Sequence, residues 1–206
     1  MPHLDLAIII QTIGILGVVA IVFAESGLFI GFFLPGDSLL FTAGLLASQG
    51  IFNLPLLILG SFVAAVLGDS VGYAFGKRLG PLLFRREDSL LFHKQHLVKT
   101  EAFFARHGTK AIVLARFVPI VRTFTPILAG VGKMRYKTFL SYNIIGALGW
   151  AVGVPLAGYW LGATIPGIDH YLLPIVLGII IVSFIPPLVE WYREQRTSRV
   201  HKKTLG

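Results

Sequence analysis

Residues 111–132 read AIVLARFVPIVRTFTPILAGVG, and this stretch decides how the chain meets its surroundings. It has the roughly 20 residues that an apolar helix needs to cross a bilayer, yet Arg116, Pro119, Arg122 and Pro126 interrupt it. Proline removes a helical hydrogen bond and its ring clashes with the preceding turn, and an arginine at a helix centre costs about 2.5–3.5 kcal/mol on insertion scales. The pattern does not suit one straight, lipid-facing helix. It predicts a re-entrant segment, bent near Pro119 and Pro126, whose backbone is covered by protein or by a wet cavity.

The rest of the chain supports a membrane setting. Of 206 residues 55% are hydrophobic and only 14% charged, with a mean hydropathy of +0.78, against roughly 45–50% and about 25% in soluble domains. The expected fold class is an all-α integral membrane protein: about four transmembrane helices, two opposed re-entrant helical segments and one interfacial amphipathic helix. One membrane domain is expected over residues 1–192, with a basic cytoplasmic tail over 193–206.

Leu6 to Leu34 reads as the first span, stopped by Pro35-Gly36-Asp37. It lacks the basic start and small-residue cleavage site of a signal peptide, and is expected to stay as a helix. Ser38 to Ser48 is apolar but too short to cross, which predicts the other re-entrant segment. Ile51 to Phe75 is a second span, and Gly68, Gly72, Gly76 and Gly80 recur every fourth residue along and past it. Such a ridge lets another helix approach closely. Between Glu87 and His107 the apolar Leu90, Leu91, Leu97, Val98, Phe104 and Ala105 recur at sevenfold spacing with Lys94, Lys99 and Arg106 among them, in the manner of a helix lying on the membrane surface. Thr138 to Gly162 and Tyr171 to Val189 complete the spans, flanked by Tyr159, Trp160, Trp191 and Tyr192 as interfacial aromatics.

The net charge of +8 does not point to nucleic acid, because the basic residues sit between or after hydrophobic runs. That distribution is a positive-inside bias, and with four spans it places both termini and every basic cluster in the cytoplasm. The absence of cysteine excludes disulfides and thiolate sites. His93 and His96 lack companions, so no metal and no cofactor is expected. Hydrolase signatures are missing, so no catalytic residue is assigned and an enzyme is not expected. Lys110 followed by Arg116 loosely resembles lipid phosphatases, but Phe117 stands where they have proline.

Glu25, Asp37, Asp69, Arg116 and Arg122 therefore carry the chemistry. Five unpaired charges in lipid would cost about 12–17 kcal/mol, comparable with a domain's whole stability, so they must pair or share a cavity. Asp69 lies close enough to Lys77 to reach the headgroups instead. Arg116 and Arg122 flank Pro119, so the bend lets the two guanidiniums converge, and their planar forks suit phosphate oxygens. Glu25 and Asp37, with Asp69, are candidates for proton exchange or gating, since a carboxylate in a membrane cavity can take up and release a proton. Buried ion pairs that hold helices in register are the competing reading.

Glu25 with Pro35-Gly36-Asp37, then Gly68-Asp69-Ser70-Val71-Gly72-Tyr73 running to Gly76-Lys77-Arg78-Leu79-Gly80, then Arg116-Phe117-Val118-Pro119-Ile120-Val121-Arg122 with Gly130 and Asn143, together resemble the bacterial DedA family. Its eukaryotic relatives are the VTT-domain lipid scramblases. The resemblance runs from about Glu25 to Gly162. It implies a bacterial inner-membrane protein with two facing re-entrant helices, and functional roles for Glu25, Asp37, Arg116 and Arg122. It also implies proton-dependent transport, envelope integrity, or return of undecaprenyl phosphate across the membrane. Asp37 departs from the Pro-Gly-Glu of many relatives, keeping the charge with a shorter reach. The expected function is a flippase or transporter for a lipid phosphate, with membrane lipids, polyprenyl phosphate and protons as partners and a second copy of the chain as a candidate partner. The alternatives are a proton-coupled antiporter for small cations or drugs, and a non-transporting membrane scaffold.

Overall fold

The computed structural model describes residues 6–27, 36–83, 101–102, 104–165, 174 and 178. Among them every regular element is helical. We number them α1 (Leu6–Gly27), α2 (Gly36–Ser48), α3 (Leu54–Leu83), α4 (Ala111–Ala115), α5 (Pro119–Val131) and α6 (Tyr136–Thr164), with a 3-10 turn at Gly108–Lys110 leading into α4. Pro35, most of the expected interfacial helix, His93, His96, the expected span at Tyr171 to Val189 and the tail lie outside the described residues.

Local chemistry sets the element ends. The Asn53 side chain accepts the Leu56 amide at 3.0 Å, satisfying one of the unpaired donors that open α3. Val118 is extended and Pro119 begins α5, where proline's missing amide costs nothing and its φ suits the helix. Pro126 was expected to break the segment, yet it lies inside a continuous α5. The break falls at Arg116–Val118, just before Pro119, between α4 and α5. A proline seven residues into a helix removes one hydrogen bond, and the buried packing of Pro126 against Gly72 compensates.

Two helices, Leu54–Arg78 within α3 and the whole of α6, are long and apolar enough to cross a bilayer. They run antiparallel, since Tyr73 stacks on Phe139 and Asn143 reaches the Val66 carbonyl. The face of α3 carrying Leu56, Leu59, Val63, Leu67 and Val71 and that of α6 carrying Ile145, Leu148 and Leu156 are exposed. Rows of exposed aliphatics at helical spacing are costly in water and neutral in lipid.

The remaining helices form two hairpins against this pair. Gly14 meets Phe52, Gly60 meets Val19 and Gly68 meets Gly27, so α1 runs in the same direction as α3. The chain then returns through α2, whose Gly44 and Ser48 pack on Pro155 and Gly162 of α6. α1 therefore lies parallel to α3, whereas a first span completed just before α3 would run against it. The start of α1 lies at the Asn53 end of the bundle, opposite Lys77, Lys110, Lys133 and Lys137. The second hairpin mirrors the first. Ile112 clusters with Tyr73, Ala129 and Phe139 near the Lys133 end, Arg116 reaches Asn143 at mid-depth, and α5 descends again to place Gly130 on Gly76. The N-termini of α2 and α5 thus face each other halfway along α3 and α6.

The glycine ridge carries this arrangement. A Cβ on Gly68 would strike Ser26 and the Phe23 carbonyl of α1, and one on Gly76 would strike the Ile127 carbonyl of α5. Gly80 belongs to α3, although its surroundings are not described. Gly158 does the same for α2, packing on the Phe41 carbonyl.

Cysteines introduced at Val19 and Gly60 of the cysteine-free chain are expected to cross-link on oxidation, whereas a first helix that crossed the bilayer would bring Val19 nowhere near Gly60. Gly76→Ala and Gly158→Ala should lower the melting temperature in detergent, at a cost of about 1–3 kcal/mol from overpacking. Gly149→Ala, with open space around the new methyl, should change it little.

Candidate functional site

The charged side chains singled out by the sequence all meet where the hairpin tips face each other. Arg116, in the break between α4 and α5, donates to Asp69 of α3 and to Asn143 of α6. Asn143 is fully buried, and its amide donates to the Val66 carbonyl at 3.2 Å, which fixes its oxygen toward the guanidinium. Arg122, in the first turns of α5, donates to Glu25 of α1 and through Nη1 to Asp37 Oδ1 at 2.6 Å. Trp150 of α6 donates its indole N–H to the same Asp37 oxygen at 2.7 Å, and its ring lies 5.2 Å from the Arg122 guanidinium carbon.

These are charge-assisted bonds in a setting where each partner is indispensable. Glu25, Asp69 and Arg116 are buried, and removing one member of a buried pair leaves an uncompensated charge. Asp69 does not reach toward the headgroups as the sequence allowed. It lies opposite Asn143 on α3 and is absorbed by Arg116. Asp37 differs, with half of its side chain exposed, which makes it the open flank of the cluster. Gly36 belongs to the same design, because a Cβ there would collide with the Glu25 carboxylate.

A cavity of about 20 Å³ lies between the two pairs, lined by Glu25, Asp69, Arg116, Arg122 and Thr125 among others. That suffices for a water molecule and not for a phosphate group. Glu25 Oε2 and Arg116 Nε are buried without a hydrogen-bond partner among the described residues. The sequence reading that the arginines converge holds in that both line this cavity, but each is claimed by its own acids. No group of residues suited to a metal ion occurs among the described residues.

Sequence reasoning left two members of the site without a role. Asn143 entered only through the family motif, and Trp150 not at all. Their signals were available: an amide in the middle of an apolar span, and a tryptophan at its centre rather than at the interface where tryptophan concentrates.

Fold and site together define a helical membrane protein with two opposed hairpins and a buried arginine–carboxylate cluster at their tips. Residues 34–160 match the family model for the VTT domain. Protein DedA of Escherichia coli is 46% identical over 180 residues, covering 86% of this chain and 82% of DedA. An uncharacterised membrane protein of Mycobacterium leprae is 44% identical over 187 residues, covering 90% and 83%. Inner membrane protein YqjA of Escherichia coli is 36% identical over 146 residues, covering 70% and 66%. No solved structure matches the chain. The protein belongs to the DedA family of VTT-domain membrane proteins.

Arg116→Gln and Asp69→Asn are each expected to cost roughly 3–5 kcal/mol of stability, as for other broken buried pairs. The double variant should recover a large part of that loss, measured by thermal melting in detergent. Additive losses would mean that the two side chains do not depend on each other.

Proposed function

We propose that this protein is a flippase or scramblase that moves a lipid phosphate, a polyprenyl phosphate such as undecaprenyl phosphate or a phospholipid, across the bacterial inner membrane, with Glu25 and Asp37 exchanging protons. It is a transporter and carries out no bond-breaking chemistry. The observation that carries the reading is the meeting of the α2 and α5 N-termini at mid-depth beside Arg116 and Arg122. Helix N-termini present unpaired amides and a positive dipole end, and transporters with broken helices aim such ends at anionic groups near the midplane.

In the described arrangement carboxylates occupy the places a phosphate would take. Loading a phosphate therefore requires Glu25 and Asp37 to let go of Arg122. Protonation of the acids does this without leaving a bare charge, because a neutral carboxyl no longer competes with a phosphate for the guanidinium fork. The exposed flank at Asp37 supports approach of the headgroup from that side. The basic residues gathered at the Lys133 end support a cytoplasmic position for that end, and the inner-membrane relative YqjA supports the compartment. On this reading α3 and α6 cross the bilayer and the two hairpins enter from opposite faces.

One observation favours a second reading, a proton-coupled antiporter for cations. The cluster holds three carboxylates against two guanidiniums, so an ionised network has an excess negative charge that a cation can balance.

Pure protein reconstituted in liposomes with a short-chain polyprenyl phosphate should speed the exposure of that phosphate to an external phosphatase. Arg122→Lys keeps the charge and loses the planar fork, and should slow this by about tenfold or more. Glu25→Gln and Asp37→Asn should abolish it while the protein still inserts. Unchanged phosphate exposure with cation-dependent proton flux in the same vesicles would replace the lipid reading with the antiporter.

A further inference from the structure

Trp150 sits at an unusual place for its type. Tryptophan gathers at membrane interfaces, yet Trp150 lies at the centre of α6 and is 3% exposed. A buried indole needs a partner for its N–H, and here that partner is a carboxylate already claimed by an arginine. Arg122 Nη1 at 2.6 Å and Trp150 Nε1 at 2.7 Å both donate to Asp37 Oδ1. The two donors differ in freedom. Arg122 has a long side chain on a short helix, whereas the Trp150 ring is wedged in a packed core with Leu40, Ala43, Ala147 and Ala151. An indole N–H also has no acceptor function to fall back on.

We infer that Trp150 is a positioning residue that keeps hold of the Asp37 carboxyl when Arg122 releases it, so that the arginine can change partners without stranding the acid. The indole serves both parties of the exchange: its N–H holds the oxygen that Arg122 leaves, and its face holds the guanidinium by a cation–π contact. Asn143, seven residues earlier on α6 and about 10 Å along the axis, does the converse: its oxygen accepts from the Arg116 Nη2 that also donates to Asp69, and so holds the arginine and not the acid. α6 is thereby the fixed rail on which both arginines are set. This assignment deepens the lipid-phosphate reading and rests on it for the identity of the incoming anion, but not for the shared hydrogen bond.

The test uses full-length protein in nanodiscs with nitrogen-15 in its three indoles, Trp150 being identified by its loss in Trp150→Phe. In the charge-balanced Glu25→Gln/Arg122→Gln variant the Trp150 N–H resonance should stay in its downfield, exchange-protected position. Asp37→Ala should move it and end the protection. A Trp150 signal that loses protection with Arg122 and ignores Asp37 would overturn the assignment.

Binding of dodecyl phosphate to the same samples supplies the second readout. Trp150→Phe keeps a ring face but no N–H, and should weaken that binding by about tenfold. The same change in the Asp37→Ala background should add nothing. Benzothienylalanine at position 150, which replaces only the N–H by sulfur, should reproduce the Phe result and decides the matter if Phe fails to fold. An equal loss with and without Asp37 would overturn the positioning role. Absence of dodecyl phosphate binding in the unmodified protein would instead overturn the phosphate reading, and the indole resonance alone then decides the role of Trp150.

Discussion

Two guanidiniums held at mid-depth in a membrane domain cannot be left alone, and the rest of the structure follows from how they are neutralised. Arg116 draws Asp69 and Asn143 to it, and Arg122 draws Glu25, Asp37 and Trp150. Those partners come from α1, α2, α3 and α6, so the two arginines tie together every long element of the described chain. Breaking either cluster leaves a charge in a medium that cannot solvate it. The fold and the site are in this sense one object.

Bringing the carboxylates that close requires backbones that touch. Gly27 against Gly68, Gly76 against the Ile127 carbonyl and Gly158 against the Phe41 carbonyl let the hairpins sink into the groove between α3 and α6. Lipid offers no hydrophobic drive for helix association, so close packing and polar contacts must supply it. The hairpins then deliver two helix N-termini to one level, where the positive dipole ends and the arginines meet the acids. Such a centre is suited to exchange, since protons, carboxylates and an incoming anion compete for the same donors.

Much of this was legible in the sequence, and the physical reasons for the misses are specific. Charges inside apolar runs identified Glu25, Asp37, Asp69, Arg116 and Arg122, because lipid makes an idle charge too costly. Four-residue glycine spacing identified the packing ridge on α3. The direction of the first helix relative to α3 was not legible: an apolar run carries no signal for the helix it packs on, and only the packing of Val19 on Gly60 gives it. Proline at position 126 was read as a break because proline usually is one, yet a buried position beside Gly72 absorbs the lost hydrogen bond. For Asp69 the short distance to Lys77 left a headgroup position open, because sequence distance ignores the side of the helix that the carboxylate occupies. Trp150 was overlooked because tryptophan in a membrane protein suggests an interface, and its partner Asp37 is 113 residues away.

The central claim is that an anion and the carboxylates exchange places on the arginines, which makes proton uptake part of anion binding. Calorimetric titration of dodecyl phosphate into the detergent-solubilised protein, repeated in buffers of different ionisation enthalpy, counts the protons taken up per anion bound. The account predicts net uptake of about one proton or more, reduced in Glu25→Gln and in Asp37→Asn. Binding with no proton uptake in the unmodified protein would contradict it, because the phosphate would then sit beside the ion pairs and not replace them.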